Sequence, residues 1–428
     1  MNINSQRLRT LAVCTLLMAL GGGAARAQQP PPAVKIDLHQ AIQLALQHNH
    51  TLKAAETQIQ QNQADEVTAS LRPNPVLTWD ALFIPFFSPD QLNKSYLNNI
   101  TEFDAAVAYT IERGHKRQAR IRAARDQTAQ TRSLVSDDER TLTFNVAQQF
   151  IAVLLAKSTL DFAHQNLSSF QQTVDLSESR YKSGAISEGD LLKIKLQLLQ
   201  FQTDASSAEL SLVQSLASLR ELLGYDSVPA HYDVIGQLTY EPLHGNKEDL
   251  QLLALKQRPD YVAAEQGVAL ARSQLQLARA DSKRDLTASA GYTRLANANN
   301  ASFIFNIEIP IFDRNQGEIA RSRYAITQSQ EAKAAAEETV MTDVETAYET
   351  VKTGQQVVQL YQSGYLKQSK ESRDISDYAY KRGAANLLDF LDAERSYRST
   401  QLSYRQSLAT YMLAMEQLRE AVGTRSLP

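Results

Sequence analysis

Tyr380-Lys381-Arg382-Gly383-Ala384, followed by Asp389 and closed by Gly423, occurs twice in this chain. Moved back by 199 positions it reads Tyr181-Lys182-Ser183-Gly184-Ala185, Asp190 and Gly224, and the shift holds without a gap. Leu418-Arg419-Glu420 falls on Leu219-Arg220-Glu221, Gln401 on Gln202 and Leu391 on Leu192. A block repeated in constant register means two copies of one structural unit, here a turn followed by a helix. Around it the rest of the chain divides into two halves.

Glycine (16) and proline (12) are scarce in these 428 residues, whereas Ala, Gln, Leu, Ser, Glu, Lys and Arg abound. Most of these are good helix formers, so long, seldom interrupted helices are expected. Arg7 and Arg9, the apolar run Leu11–Leu20 and Ala25-Arg26-Ala27 have the layout of a signal peptide, 1–27, with Gln28 the mature N-terminus. The apolar run is too short to span a membrane as a helix. Cys14, the only cysteine, falls inside this segment, and Leu11-Ala12-Val13-Cys14 leaves a lipidation site as the alternative. Removing Arg7, Arg9 and Arg26 with no acid leaves 41 basic against 47 acidic side chains, a net charge of −6. The mature chain is then without thiols, and its charge does not point to nucleic acid.

In chain order, residues 28–36 read as a proline-stiffened linker and 37–72 as a helix capped by Asp37 and stopped by Pro73 and Pro75. Residues 75–112 change period from 3.6 to 2. Leu77, Trp79, Ala81 and Phe83 alternate with polar residues, and Phe103, Val107, Tyr109 and Ile111 do so again, as two strands of a hairpin. Residues 115–224 form a long helical hairpin, since His115 to Arg180 contains no proline or glycine. A helix of that length is roughly 100 Å long and must pack in a bundle or coiled coil. A connector, 225–246, leads to a helix, 247–283, that echoes the first at a shift of 209. A second β-hairpin follows at 286–312, turning at 297–300, then a second helical hairpin at 315–423 and a tail, 424–428.

Four strands of about ten residues with one apolar and one polar face match transmembrane β-barrel strands. The strands alone also fit a soluble hairpin half-buried on helices. Export, and the lack of a sheet-sized core in long helices, favour the membrane. Four strands cannot close a barrel, and the smallest barrels need roughly eight, so the membrane reading forces oligomerisation.

The duplicated halves, the Tyr-x-x-Gly turns followed by Asp, and Ile309-Pro310-Ile311-Phe312-Asp313-Arg314-Asn315-Gln316-Gly317 resemble the TolC-like outer-membrane factor family over nearly the whole mature chain. Ile111-Glu112-Arg113-Gly114-His115-Lys116-Arg117 is similar to a Gly-Gly-Lys-Arg phrase of cobalt–zinc–cadmium efflux components, with His115 at the second glycine. The resemblance implies a mainly α fold with a membrane β part. Long helical hairpins would form a trimeric α-barrel with an equatorial collar at the connector, and four strands per chain would enter a twelve-stranded barrel. It implies the exit duct of a tripartite efflux system, partnered by a periplasmic adaptor and an inner-membrane RND pump, carrying heavy-metal cations or drugs. A type I secretion duct, or a periplasmic coiled-coil scaffold without a barrel, are the alternatives.

Asp389 and Asp392 share a face at a helix start, where carboxylates also simply complement the helix dipole. By the resemblance they become two carboxylate rings at the periplasmic mouth, with Asp190 beside it in the other hairpin. Some family members place an arginine just before these acids, where this chain has Ala384-Ala385-Asn386. Gly184 and Gly383 are expected to cap helices in a left-handed conformation, and with Tyr181 and Tyr380 to form the tips on which the adaptor docks. Trp79, Tyr109 and Tyr292 are the expected aromatic girdle. His48 and His50 are two apart on a helix and face different ways, so no metal site is expected; nor is a cofactor, or an enzyme motif such as a P-loop or H-E-x-x-H.

Overall fold

A computed structural model describes residues 34–427. The signal-peptide and lipidation readings, and the linker before Val34, lie outside the described residues.

The chain opens with β1 (Val34–Ile36), inside the expected linker, and continues through α1 (Leu38–His48) and α2 (His50–Ser70). Then come β2 (Val76–Leu82), a long loop holding α3 (Lys94–Asn99), and β3 (Glu102–Ile111). The first long hairpin is α4 (Lys116–Lys182) and α5 (Glu188–Leu223), followed by β4 (Tyr232–Val234). The second half repeats the order with α6 (Lys247–Gln257), α7 (Pro259–Asp281), β5 (Leu286–Leu295) and β6 (Ala298–Ile307). It ends with α8 (Gln316–Leu360), α9 (Leu366–Lys381) and α10 (Leu387–Val422).

Both short helical segments expected to run unbroken are broken at equivalent places, Asn49 and Arg258, with the same extended backbone (φ −66°, ψ 120° and φ −69°, ψ 120°). Different side chains hold the two breaks. Asn49 Oδ1 accepts the amides of Thr51 and Leu52, and its Nδ2 donates to the Leu222 carbonyl at the end of α5. Arg258, 3% exposed, pairs with Asp260 and Asp343 and reaches the Ala421 carbonyl at the end of α10. Gly224 and Gly423 close the same contacts. Both have positive φ, and a Cβ on either would come within 3.2 Å of His48 or Arg258. The breaks are thus grips by which each short helix pair holds the end of its long hairpin.

A second interruption has no counterpart in the first half. Tyr361–Tyr365 forms a π turn between α8 and α9, with Gly364 at φ 142°, ψ −21°, whereas α4 is continuous over 67 residues.

The connector does more than join the halves. β4 pairs in parallel with β1, aligning Ile36 with Val234, and both side chains are buried with Val146, Phe150 and Leu219 in one core. A matching core in the second half gathers Leu250, Val344, Val351, Tyr411 and Leu418.

The four long strands form one sheet in the order β2-β3-β5-β6, all antiparallel. Pairing of β3 with β5 joins the two repeats, and the β5–β6 turn is tighter than expected, only Ala296 and Asn297. α4 packs against α2 and α7 toward the sheet and against α5 and α10 farther away. α10 in turn packs on α8 and α9, so at each level the chain offers a row of four helical segments.

Candidate functional site: the sheet faces and the hairpin tips

Directly paired residues in a sheet point to the same face. The registers therefore place Leu77, Val107, Ala290 and Phe303 in one row, Trp79, Ala105, Tyr292 and Ala301 in the next, and Tyr109, Ala288 and Phe305 in a third. With Ile111, Leu286 and Ile307 these rows make one apolar face about 20 Å long at some 3.4 Å per residue. None of the described residues covers it. Trp79 is 71% exposed and Phe303 74%.

The opposite face is polar, with Thr78, Ser302, Thr287, Asn306, Thr293 and Asn300. Asp80 lies directly across from Asp104 on it, a like-charge pair that costs stability in an ordinary sheet. Alternation in the sequence marked both as polar; only the register opposes them. Among the described residues, strands β2 and β6 each pair on one side only, leaving two open edges. The expected girdle occupies two levels rather than one. Trp79 and Tyr292 share a row, whereas Tyr109 lies four residues nearer the helices, in the row of Phe305.

At the far ends of the hairpins, the two copies of the repeated turn share a backbone but not an environment. Gly184 (φ 74°) and Gly383 (φ 76°) are both left-handed, with open space or a flexible arginine at the missing Cβ. Their amides donate to Tyr181 and Tyr380 carbonyls, closing the helix ends. Tyr181 is 40% exposed. Tyr380 is 5% exposed, stacked on Phe390 in a cluster with Phe170 and Phe201, and its carbonyl accepts from Arg180 Nη1 at 3.0 Å. Tyr380, expected at the docking tip with Tyr181, has its ring packed inside this cluster, and its carbonyl ties the second tip to the first through Arg180. Arg180, which does this, carried no signal in the sequence.

The three acids also separate. Ser187 caps α5 by accepting the Asp190 amide at 3.1 Å, and its hydroxyl donates back to the Asp190 carboxylate at 2.9 Å, with Lys193 3.7 Å away. At the second tip Asn386 takes the capping role, accepting the Asp389 amide at 2.8 Å and leaving the Asp389 carboxylate in solvent. Asp392 is exposed with Arg395 4.0 Å away. One turn further, Glu394 is buried among Arg373, Arg398, Asp374 and Asp377, and burial pushes its carboxyl above the ordinary range despite the two arginines. Among the described residues no group of three or more His, Cys, Asp or Glu is placed to hold a metal, and no helix is long and apolar enough to cross a membrane.

A sheet with an uncovered apolar face, a polar reverse and two open edges, standing on rows of long helices, defines a channel-forming outer-membrane protein. The family model described as outer membrane efflux protein matches residues 41–225 and 251–424, and the chain belongs to that family. Among its relatives, the cobalt-zinc-cadmium resistance protein CzcC of Cupriavidus metallidurans is 24% identical over 89% of this chain and 88% of its own. The pyoverdine export outer membrane protein OpmQ of Pseudomonas putida is 25% identical over 90% of this chain and 86% of its own. The crystal structure of CusC superposes with a TM-score of 0.74 at 22% identity, covering 92% of this chain and 93% of that one. VceC of Vibrio cholerae superposes with a TM-score of 0.73, covering 90% and 96%.

Proposed function

We propose that three copies of this chain assemble into the exit duct of a tripartite efflux system, passively conducting metal cations or drugs delivered by an RND pump through a periplasmic adaptor. The observation that carries this is the open four-stranded sheet, whose apolar face and free edges are satisfied only in lipid and only by further copies. Three chains would supply twelve strands, and the rows of four helical segments would supply a twelve-helix tunnel.

Two exposed apolar stripes support closure between copies. On α5, Leu192, Leu196, Leu199, Leu210 and Val213 follow heptad spacing, and at the other end Val357 and Leu360 of α8 and Ile375 and Tyr378 of α9 are exposed on either side of the π turn. They lie at opposite ends of the helical row, the arrangement a head-to-tail ring needs.

In such a trimer Asp389 and Asp392 become two carboxylate rings at the periplasmic mouth, and the opposed Asp80 and Asp104 add acids to the barrel lumen. Rings of this charge favour cations. Asp190 stands near the mouth with its carboxylate bonded to the capping Ser187. The adaptor docks on the tips that hold Tyr181 and Gly184 in the first copy and Tyr380 and Gly383 in the second, with the buried Tyr380 ring bracing its tip from behind. The proteins named for cobalt, zinc and cadmium resistance or for cation efflux support a metal cargo, and the one named for pyoverdine export supports an organic one.

Fractionation tests the duct: the mature protein is expected in the outer membrane as a trimer that dissociates on heating. Recovery as a soluble periplasmic monomer would overturn it. A deletion strain scored against zinc, cobalt and a panel of drugs assigns the cargo.

A further inference from the structure

We infer that the pocket where α4 begins and α7 ends binds the phosphate of an anionic phospholipid from the periplasm-facing leaflet. This rests on the membrane orientation proposed above. The pocket, about 410 Å³ and open to solvent, is lined by His115, Arg122, Arg279 and Lys283, with Gln118 and Gln276 between them. It has four basic side chains and no acid. None of the four enters an ion pair among the described residues, and Arg122 has only Gln276 Oε1 at 3.5 Å. The acids next to it are committed elsewhere: Asp285 to Lys116 at 2.8 Å and Glu112 to Arg120. Asp281, on the last turn of α7, does not line the pocket.

The fold holds these basic side chains close together. Gly114 has φ 72°, and a Cβ there would stand 2.7 Å from Lys283 Cγ, so only glycine lets the end of α7 approach the start of α4. His115 follows in the left-handed region at φ 62°, where glycine would be unstrained. The amino end of the 67-residue α4 adds its own positive field.

Location selects a lipid over a free anion. His115 comes four residues after Ile111 and Lys283 three before Leu286, and that pair is the lowest row of the apolar sheet face. Ile311 and Phe312, after β6, are also exposed. A headgroup in the pocket would leave its acyl chains level with apolar surface. Basic pockets beside membrane segments recognise anionic headgroups in this way, each basic side chain contributing roughly a fivefold change in affinity.

The test uses purified trimer in neutral detergent, titrated with dioleoyl phosphatidylglycerol or dioleoyl phosphatidylcholine and read by retained lipid and by thermal unfolding. The trimer is expected to retain phosphatidylglycerol and to be stabilised by it, with little response to phosphatidylcholine. The double variant Arg122→Gln/Arg279→Gln is expected to bind roughly thirtyfold more weakly while remaining a heat-modifiable trimer. Should it fail to assemble, His115→Gly, which relieves a strained residue, is expected to assemble and to bind more weakly. Undiminished phosphatidylglycerol retention in the variants overturns the proposal, as does equal stabilisation by sodium phosphate alone, which would make the pocket a simple anion site. Absence of a trimer in the unaltered protein would count against the duct, not the pocket.

Discussion

At the scale of single residues, the two copies of the repeated turn show how one motif takes two roles. Asp190 is held by Ser187 and Lys193, while the Asp389 carboxylate stands in solvent and Asp392, 76% exposed, has only the exposed Arg395 4.0 Å away. Replacing both Asp389 and Asp392 by Asn is therefore expected to lower the cation preference several-fold in planar-bilayer reversal potentials, and Asp190→Asn to leave it nearly unchanged. Equal effects from the two would remove the distinction between the tips. Glu394 behaves differently. Its carboxyl is raised by burial, so the stability it contributes is present below the unfolded value near 4.5 and is lost as pH rises through the raised value. Glu394→Gln is expected to melt higher than the parent at neutral pH, the gap closing as pH falls below the ordinary carboxylate range. Acid-range melting curves check the sign. None of this burial was legible: Glu394 lies in the same helical turn as two exposed residues and looks like any surface glutamate.

At the scale of elements, the breaks at Asn49 and Arg258 are the main departures from a periodicity reading. Pro259 marks the second break, but apolar residues continue on both sides and nothing comparable marks the first. What sets both is a distant partner, the last turn of α5 or α10. Arg258→Ala is expected to destabilise the protein by about 3 kcal/mol, toward the low end for breaking a buried pair because Asp343 is half in water. Gly423→Ala, which needs a left-handed residue against the Arg258 backbone, is expected to cost about 2 kcal/mol. Denaturant unfolding of the trimer would measure both. Gly364 belongs here too. Its φ of 142° is closed to other residues, so Gly364→Ala should either lower stability or straighten α8 into α9 and shift the second tip relative to the first.

At the scale of the whole molecule, the open edges and stripes make the monomer incomplete. The described residues contain no cysteine, so an engineered pair on the two stripes at a matching distance from the tips, Leu196→Cys with Ile375→Cys, is a clean probe. Oxidation is expected to give trimer-sized species on denaturing gels without heating. A charge in the middle row of the apolar face, Val107→Arg, is expected to cost about 2–4 kcal/mol per chain and to reduce outer-membrane assembly. The same change at Thr78, on the polar face, should be tolerated.

By itself, the sequence determined the duplication, the helical hairpins, the alternating strands and the family, because each is written in local period or constant register. The aromatic residues, the acids and the turn glycines were visible for the same reason. Tertiary structure alone decided which Tyr is buried, which acid is free, that Asp80 faces Asp104, and that β3 joins β5 across the repeat. Those outcomes depend on contacts between residues 200 to 280 positions apart, such as Arg180 with Tyr380 and Arg140 with Glu420. A period of 2 or 3.6 assigns a face to each residue. What that face meets depends on where the chain returns.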